Sequence, residues 1–153
     1  MKYLFENIQT VNELLNAREK TILLTDFDGT LTPIQKHPDL VNLSEEIRQI
    51  LIKYSQNKAI FLGIITGRSL KQIKKLVNIP EILYVANHGI EIEGPGIHYV
   101  SKEARKARYI LWHIYMRLFK SLKHIEGMHI EDKGFSISLH YRAVKKKGDI
   151  EFV

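Results

Sequence analysis

Two carboxylates, Asp26 and Asp28, stand one residue apart in the stretch TILLTDFDGTLTPI, residues 21–34, directly after an apolar run. A carboxylate nucleophile can divide phosphate-monoester hydrolysis, among the slowest uncatalysed reactions, into two easier displacements. In that chemistry Asp26 would be the nucleophile, and Asp28 would protonate the leaving alkoxide and then act as base. Mg²⁺ would neutralise the meeting anions, held by Asp26 and by the backbone carbonyl of Asp28.

Two other interpretations compete for the same residues. A D-x-D-G sequence by itself is more often a turn in which the second aspartate hydrogen-bonds the backbone. A calcium loop would need a further acidic or amide ligand, a glycine at its sixth position and a glutamate at its twelfth. Those positions hold Thr30, Leu31 and His37, which excludes the calcium loop.

The elements that must position these carboxylates follow from the apolar pattern. Helical spacing predicts helices over residues 3–19, 44–55 and 69–77, and compact apolar runs predict strands over 21–25, 59–66 and 82–87. Alternating strands and helices are typical of a parallel sheet covered by helices. Ligands of such sheets gather beyond the carboxyl ends of the strands, where Asp26 and Asp28 fall, and Gly29 permits a tight turn there.

The second half of the sequence has a different pattern. Alternation around Gly94–Gly96 predicts a hairpin, residues 102–124 have helical spacing, and two alternating segments joined near Lys133 and Gly134 predict two further strands. We therefore expect two lobes, residues 1–100 and 101–153.

Composition limits the function classes. The 153 residues include no cysteine, which excludes disulfides and thiolate metal sites. The N-terminus reaches Glu6 before any long apolar run develops, so we expect neither a signal peptide nor a membrane span, and a cytoplasmic location. The formal net charge of +6 could attract nucleic acid or a phosphorylated small molecule.

The basic helix over residues 102–124 is weak evidence for nucleic-acid binding. We expect most of its four aromatic residues to belong to the packing surface of the helix, and we expect no nucleic-acid partner. These residues are Tyr109, Trp112, Tyr115 and Phe119.

Four ordered stretches carry a family resemblance. DFDGTLTPI resembles the first motif of the haloacid-dehalogenase-like phosphatases and, through LTPI, the trehalose-phosphate phosphatases among them. GIITGRSL is similar to their second motif, whose strand-end hydroxyl, here Thr66, binds the transferred phosphoryl group. ANHGIEIEGPG resembles the N-H-G-A-E-I segment, with Ile90 where alanine is usual. IEDKGFSISLHYR resembles the cap signature V-E-D-K-G-x-S-x-x-x-H-Y-R.

The resemblance implies an α/β fold, a haloacid-dehalogenase-like Rossmannoid parallel sheet with an α+β (type C2) cap. Residues 1–100 would be the N-terminal half of the core and residues 101–153 the first part of the cap. It also implies Mg²⁺-dependent hydrolysis of a sugar phosphate, foremost trehalose 6-phosphate, through an aspartyl phosphate. Alternatives are hydrolysis of sucrose 6-phosphate or mannosylglycerate phosphate, and a non-catalytic sugar-phosphate binding module.

Beside the catalytic residues Asp26, Asp28 and Thr66, the resemblance implies seven phosphate- or substrate-binding positions. They are Gly67, Arg68, Asn87, His88, Glu131, Lys133 and Arg142. Each also has a simpler interpretation. The residues around Arg68 could merely cap the next helix, His88 could belong to a turn, and the charges near Glu131 and Arg142 could be ordinary hairpin charges.

Two later family motifs are not recognisable: a lysine that steadies the phosphoaspartate, and the acidic G-D-D-x-x-D-E stretch of the magnesium site. Gly148–Asp149 supplies no carboxylate pair, and Lys145, Lys146 and Lys147 lie where the cap would still continue. We therefore expect a fragment of a larger phosphatase, a chain completed by a separate C-terminal chain, or a truncated protein that self-associates. In each case the sheet would expose apolar surface.

Overall fold

The computed structural model of this chain describes residues 5–35 and 37–145. Gly148, Asp149, Lys146 and Lys147, which the sequence analysis set aside, lie outside the described residues. Besides short 3₁₀ helices at Phe5–Asn7, Pro38–Leu40 and Asn87–Gly89, the described part of the first half contains three α-helices and three strands. They are α1 (Ile8–Asn16), β1 (Thr21–Asp26), α2 (Glu45–Ser55), β2 (Ile60–Ile65), α3 (Leu70–Val77) and β3 (Leu83–Ala86).

The second half contains one long helix and two antiparallel hairpins. Its elements are β4 (Glu91–Gly94), β5 (Ile97–Val100), α4 (Lys102–Leu122), β6 (His129–Asp132) and β7 (Ile137–His140). Every helix and strand predicted from the sequence is present, with ends that shift by a few residues because terminal turns are not fixed by apolar spacing.

Strands β1 to β5 form one sheet in that order, with β1, β2 and β3 parallel and the hairpin β4–β5 continuing antiparallel. The predicted α/β class is therefore confirmed. In the register of the first two strands Asp26 pairs with Ile65, so the residues that follow both strands meet at one edge of the sheet. This edge carries Asp26, Asp28 and Thr66.

The main core lies between the sheet and helices α2 and α3. Phe27, Ile64, Ile73 and Ile82 are fully buried there. Strand β1 is the outermost strand of the described sheet, and its apolar residues Ile22, Leu23 and Leu24 remain exposed, Ile22 to 70%. The expectation of exposed apolar surface on the first half is thus met at β1.

Helix α4 packs on the two-stranded sheet β6–β7 through a second, smaller core that contains Leu122, Ile125 and Ile130. The expectation that most aromatics of this helix pack was wrong. Tyr115 packs on the small core, whereas Tyr109, Trp112 and Phe119 are exposed. The physical reason is that a sheet of two strands covers only one stripe of a helix this long.

Strand β5 ends at Val100 and α4 begins at Lys102, and a division into lobes near residue 100 stays a prediction. Within residues 5–35 and 37–145, the structure contains no helix with the length and apolar character that crossing a bilayer requires.

Candidate active site

In the turn after β1, the carboxylates of Asp26 and Asp28 flank the buried side chain of Phe27. Phe27 is fully buried, and its carbonyl accepts hydrogen bonds from the backbone N–H of Leu31 and of Thr32, both at 3.1 Å. Gly29 has φ +92°, a conformation that favours glycine, and its N–H donates to the Thr32 carbonyl at 2.8 Å. Because Phe27 points inward, Asp26 and Asp28 both remain exposed.

Asp26 is the last residue of β1 and its side chain is open to solvent. The Thr30 hydroxyl donates a hydrogen bond to Asp26 Oδ2 at 3.2 Å, which orients the carboxylate from within the same turn. An exposed, oriented carboxylate at the carboxyl end of a parallel strand is the arrangement that a nucleophile requires.

Asp28 is engaged by an arginine rather than by the backbone. Arg68 Nε donates to Asp28 Oδ2 at 2.8 Å, and Arg68 Nη2 donates to Asp28 Oδ1 at 2.7 Å. The guanidinium also lies 5.5 Å from the centre of the Phe27 ring. A bidentate fork of this kind matches carboxylate and phosphate geometry equally well. Arg68 therefore holds, in this state, the group predicted to be the general acid.

The loop after β2 is braced by the N-H-G segment. The Thr66 hydroxyl accepts a hydrogen bond from the Arg68 N–H at 3.1 Å, and the side chain is buried. The Asn87 N–H donates to the Arg68 carbonyl at 2.7 Å, and the His88 N–H donates to the Thr66 carbonyl at 3.1 Å. Asn87 and His88 both have left-handed backbones, φ 52° and 57°, which turn these N–H groups toward the loop.

The position of the His88 ring explains why residue 67 is a glycine. A Cβ placed on Gly67 would lie 2.5 Å from Cε1 of that imidazole, closer than real contacts allow. Asn87 and His88 therefore have a structural role that the sequence analysis left open: they hold the segment that begins at Thr66 in its turn.

A cavity of about 480 Å³ lies between this loop and the hairpin β6–β7. Six of the predicted site residues line it: Asp28, Gly67, Arg68, Glu131, Lys133 and Arg142. Asp26, Thr66, Asn87 and His88 are not among the described residues that line it. The cavity therefore joins Asp28 to the sugar-binding candidates, whereas Asp26 lies two residues before Asp28, at the end of β1.

Several lining residues were missed by the sequence analysis, among them Gln72, His129 and His140. Gln72 stands three residues after Ser69, the position that closes a capping box, which would have placed it at the start of α3 next to the site. His140 lies within the quoted hairpin motif opposite His129, and strand alternation could have placed both on one face.

Glu131 is a largely buried carboxylate in the cavity, with a side chain 14% exposed. His140 Nε2 lies 3.0 Å from Glu131 Oε2, and Gln72 Nε2 donates to Oε1. Burial raises the pKa of Glu131, but the hydrogen bonds from His140 and Gln72 and the charge of Lys133 outweigh it and leave the pKa below its usual value. The carboxylate is ionised at neutral pH and poised to accept hydrogen bonds.

The turn after β1 also carries oxygen donors suited to Mg²⁺. Asp26 and the Asp28 carbonyl offer hard oxygen ligands, and Mg²⁺ commonly takes one or two carboxylates plus water and substrate phosphate. Asp26 and the Asp28 carbonyl therefore suit two of the ligand positions of Mg²⁺, and water and substrate phosphate would occupy others. Within residues 5–35 and 37–145 there is no cluster of three or more histidine, aspartate or glutamate side chains that could hold a metal.

Comparison with known proteins gives one consistent family. The family model described as trehalose-phosphatase matches residues 24–151. Trehalose-phosphate phosphatase B of Arabidopsis thaliana is 29% identical over 147 residues, which are 89% of this chain and 39% of that protein. A probable trehalose-phosphate phosphatase J of the same organism is 30% identical, over 86% of this chain and 38% of that protein.

Among solved structures, the C-terminal domain of trehalose-6-phosphate phosphatase from C. albicans superposes with a TM-score of 0.75 at 23% identity. The match covers 95% of this chain and 50% of that domain, and it confirms the fold expected from the sequence resemblance. The chain thus spans about two fifths of the curated relatives and half of the solved domain.

Proposed function

The chain belongs to the trehalose-phosphatase family, and from that premise we propose that it supplies the nucleophile-bearing half of a Mg²⁺-dependent sugar-phosphate phosphatase. The proposed substrate is trehalose 6-phosphate, the compound in the names of its relatives. The observation that carries the proposal is the exposed Asp26 carboxylate at the end of β1, two residues before Asp28, which lines a cavity together with Arg68, Glu131 and Lys133.

The proposed reaction has two displacements. In the first, an Asp26 oxygen attacks phosphorus, the bond from phosphorus to the sugar oxygen breaks, and Asp28 gives its proton to that oxygen. In the second, Asp28 takes a proton from water, the resulting hydroxide attacks the acyl phosphate, and inorganic phosphate leaves as the Asp26 carboxylate is restored. One residue of separation with Phe27 buried between them lets the two carboxylates take these separate roles.

Arg68 links substrate binding to the protonation of Asp28, because the same guanidinium can bind either the Asp28 carboxylate or a phosphoryl group. Its fork is satisfied by the Asp28 carboxylate in this structure, and a bound phosphoryl group offers the same pair of oxygens. Exchange of the guanidinium from carboxylate to phosphate would free Asp28 to take up and donate a proton. Mg²⁺, when bound to Asp26 and the Asp28 carbonyl, would neutralise the charge of the meeting anions.

The sugar would lie against the hairpin β6–β7. Glu131 is ionised and accepts hydrogen bonds, Lys133 donates them, and a polyol needs both. Arg142 lines the same cavity and is exposed, and we assign it a contact with the substrate there.

Full activity requires a complementary part that supplies the lysine and the acidic magnesium motif. Its place is supported by β1, the outermost strand of the sheet formed by the described residues, where Ile22, Leu23 and Leu24 are exposed. A strand from the complementary part would pair there and bring its carboxylates to the same sheet edge as Asp26. We call this chain together with that part the completed enzyme.

Phosphate release from trehalose 6-phosphate tests the proposal. In the completed enzyme, Asp26→Asn should abolish turnover because the amide is a poor nucleophile, whereas Glu13→Gln on the exposed face of α1 removes the same charge and should leave turnover intact. Retained turnover in Asp26→Asn would remove Asp26 as the nucleophile.

A second candidate is a binding module that takes a sugar phosphate without hydrolysing it. The observation in its favour is that Asp28 and Arg68 satisfy each other in the chain as it stands. This candidate predicts that trehalose 6-phosphate binds and that no phosphate is released at excess Mg²⁺, even in the completed enzyme. A panel with sucrose 6-phosphate and mannosylglycerate phosphate separates the related phosphatase specificities.

A further inference from the structure

Three polar contacts tie the hairpin β6–β7 to the first turn of α3 and to the segments that follow β2 and β3. Gln72 Nε2 donates to Glu131 Oε1, and Lys133 Nζ donates to the Gly67 carbonyl at 2.9 Å. The Ser136 hydroxyl donates to Asn87 Oδ1. Lys133 is therefore anchored to the segment proposed to hold phosphate, and Glu131 is anchored to the helix that follows that segment.

Gln72 uses both ends of its side-chain amide. Its Oε1 accepts hydrogen bonds from the Ser69 N–H at 3.1 Å and from the Ser69 hydroxyl at 2.9 Å, which closes the capping box of α3. An amide has one accepting and one donating end, so the helix cap fixes which way the donor points. It points across the cavity at the Glu131 carboxylate.

The other Glu131 oxygen is held from within the hairpin. His140 Nε2 lies 3.0 Å from Oε2, and Lys133 Nζ lies 3.9 Å from the same oxygen. A carboxylate has about four acceptor sites on its two oxygens, so lone pairs remain for substrate hydroxyls after these contacts. Gln72 thus supplies the support that comes from outside the hairpin.

We propose that Gln72 is a positioning residue, which docks the hairpin β6–β7 on the first turn of α3 and sets the orientation of Glu131 toward a sugar hydroxyl. Gln72 need not touch the substrate to determine how well a sugar phosphate is distinguished from phosphate alone. The sugar part of this inference rests on the proposed function, whereas the docking part does not.

The substitution Gln72→Glu separates the two roles of this side chain. Glutamate at the third position of a helix keeps the capping box with Ser69, because its carboxylate accepts the same hydrogen bonds. It cannot donate to Glu131, and it places a second negative charge against that carboxylate. The helix cap is preserved while the docking contact is lost.

Hydrogen exchange of the full chain at neutral pH tests the docking. Gln72→Glu should raise exchange of the amides in β6 and β7 about tenfold, the effect of losing one hydrogen bond to a charged group, with amides of α3 unchanged. Ser69→Ala is the control for the cap: it removes the hydroxyl but keeps the backbone N–H that holds Gln72 Oε1. It should raise exchange chiefly in α3 and leave the amides of β6 and β7 within about twofold of the wild type.

A double variant that exchanges the amide and the carboxylate between positions 72 and 131 separates loss of this contact from general destabilisation. In Gln72→Glu/Glu131→Gln the amide at 131 can donate to the carboxylate at 72, so hairpin exchange should stay within about twofold of Glu131→Gln alone. Unchanged hairpin exchange in Gln72→Glu, or an equal increase in the Glu131→Gln background, would overturn the docking role.

Binding by calorimetry tests the link to the sugar, with trehalose 6-phosphate and inorganic phosphate as separate probes on the full chain. Gln72→Glu should weaken trehalose 6-phosphate about tenfold and leave inorganic phosphate within about twofold. Equal affinities of the wild type and Gln72→Glu for trehalose 6-phosphate overturn the sugar link alone. If the wild type binds neither probe, the proposed function fails and hydrogen exchange still decides the docking.

Discussion

The pair formed by Arg68 and Asp28 gives the sharpest stability prediction. The side chain of Arg68 is 10% exposed and that of Asp28 is 38% exposed, so the pair lies between a buried and a surface salt bridge. Buried hydrogen bonds to charged groups contribute about 1.5–3 kcal/mol each, whereas exposed ion pairs contribute about 0–1 kcal/mol. The contact of the guanidinium with the Phe27 ring adds about 0.5–1 kcal/mol.

Arg68→Leu should therefore lower the free energy of unfolding by about 1–3 kcal/mol. Arg68→Lys keeps the charge but loses the two-pronged geometry, so about half of that loss should remain. Urea unfolding measures both, and a loss of 2 kcal/mol moves the midpoint by about 1 M at the slopes usual for small proteins.

A double-mutant cycle with Asp28→Asn isolates the pairwise contribution from the loss of the arginine itself. The expected coupling energy is about 1 kcal/mol or more, and it should decrease as salt is added because Asp28 faces solvent. If both arginine variants unfold within about 0.3 kcal/mol of the wild type, the pair does not form in solution. The proposal that Arg68 moves from Asp28 to phosphate would then be wrong, because it begins from that pair.

Three further predictions concern the framework of the site. Tyr84→Phe should cost about 1–3 kcal/mol of unfolding free energy, because the buried hydroxyl donates to the Ile79 carbonyl and accepts from the Ile79 N–H; an unchanged urea midpoint would contradict this. Gly67→Ala should cost about 1–3 kcal/mol through its clash with the His88 ring, and His88→Ala in the same chain should recover most of it; an equal cost in both backgrounds would place the strain elsewhere. The pKa of Glu131 is lowered from 4.5, so its stabilisation is present above that value and is lost as pH falls through the lowered pKa. The difference in unfolding free energy between the wild type and Glu131→Gln should accordingly be constant near neutral pH and shrink below about pH 4.5, whereas a difference that grows on acidification would reverse the assigned sign.

The fold was predictable because its signals are local. The apolar run before Asp26, the serine at position 69 before an amphipathic segment, and the glycines around Pro95 each specify a strand, a helix start or a turn within a few residues. The carboxyl ends of parallel strands share one sheet edge, so the position of Asp26 and Thr66 followed from the element order.

The side-chain pairs of the site were not predictable from such signals. Arg68 meets Asp28 across 40 residues, and Gln72 meets Glu131 across 59. Periodicity indicates which face a residue occupies, but it carries no information about which distant face lies opposite. The sequence therefore predicted phosphate as the partner of Arg68 and gave no signal for Asp28, and it gave none for the pairing of Gln72 with Glu131.

The exposed aromatic residues of α4 also could not be predicted from local signals. Apolar spacing predicts that a helix has a packing face, but the area covered depends on the width of the sheet beneath it. The pair β6–β7 reaches Tyr115 and leaves Tyr109 and Trp112 in solvent.

The central claim is that the Asp26 carboxylate receives the phosphoryl group. The most direct measurement is chemical trapping: the completed enzyme is mixed with trehalose 6-phosphate and Mg²⁺, quenched in acid, reduced with borohydride and mapped by peptide mass. The account predicts that the acyl phosphate is reduced to homoserine at position 26, and that Asp26→Asn shows no such product. Turnover with the reduced residue at another position, or with no reduced carboxylate at all, would contradict it.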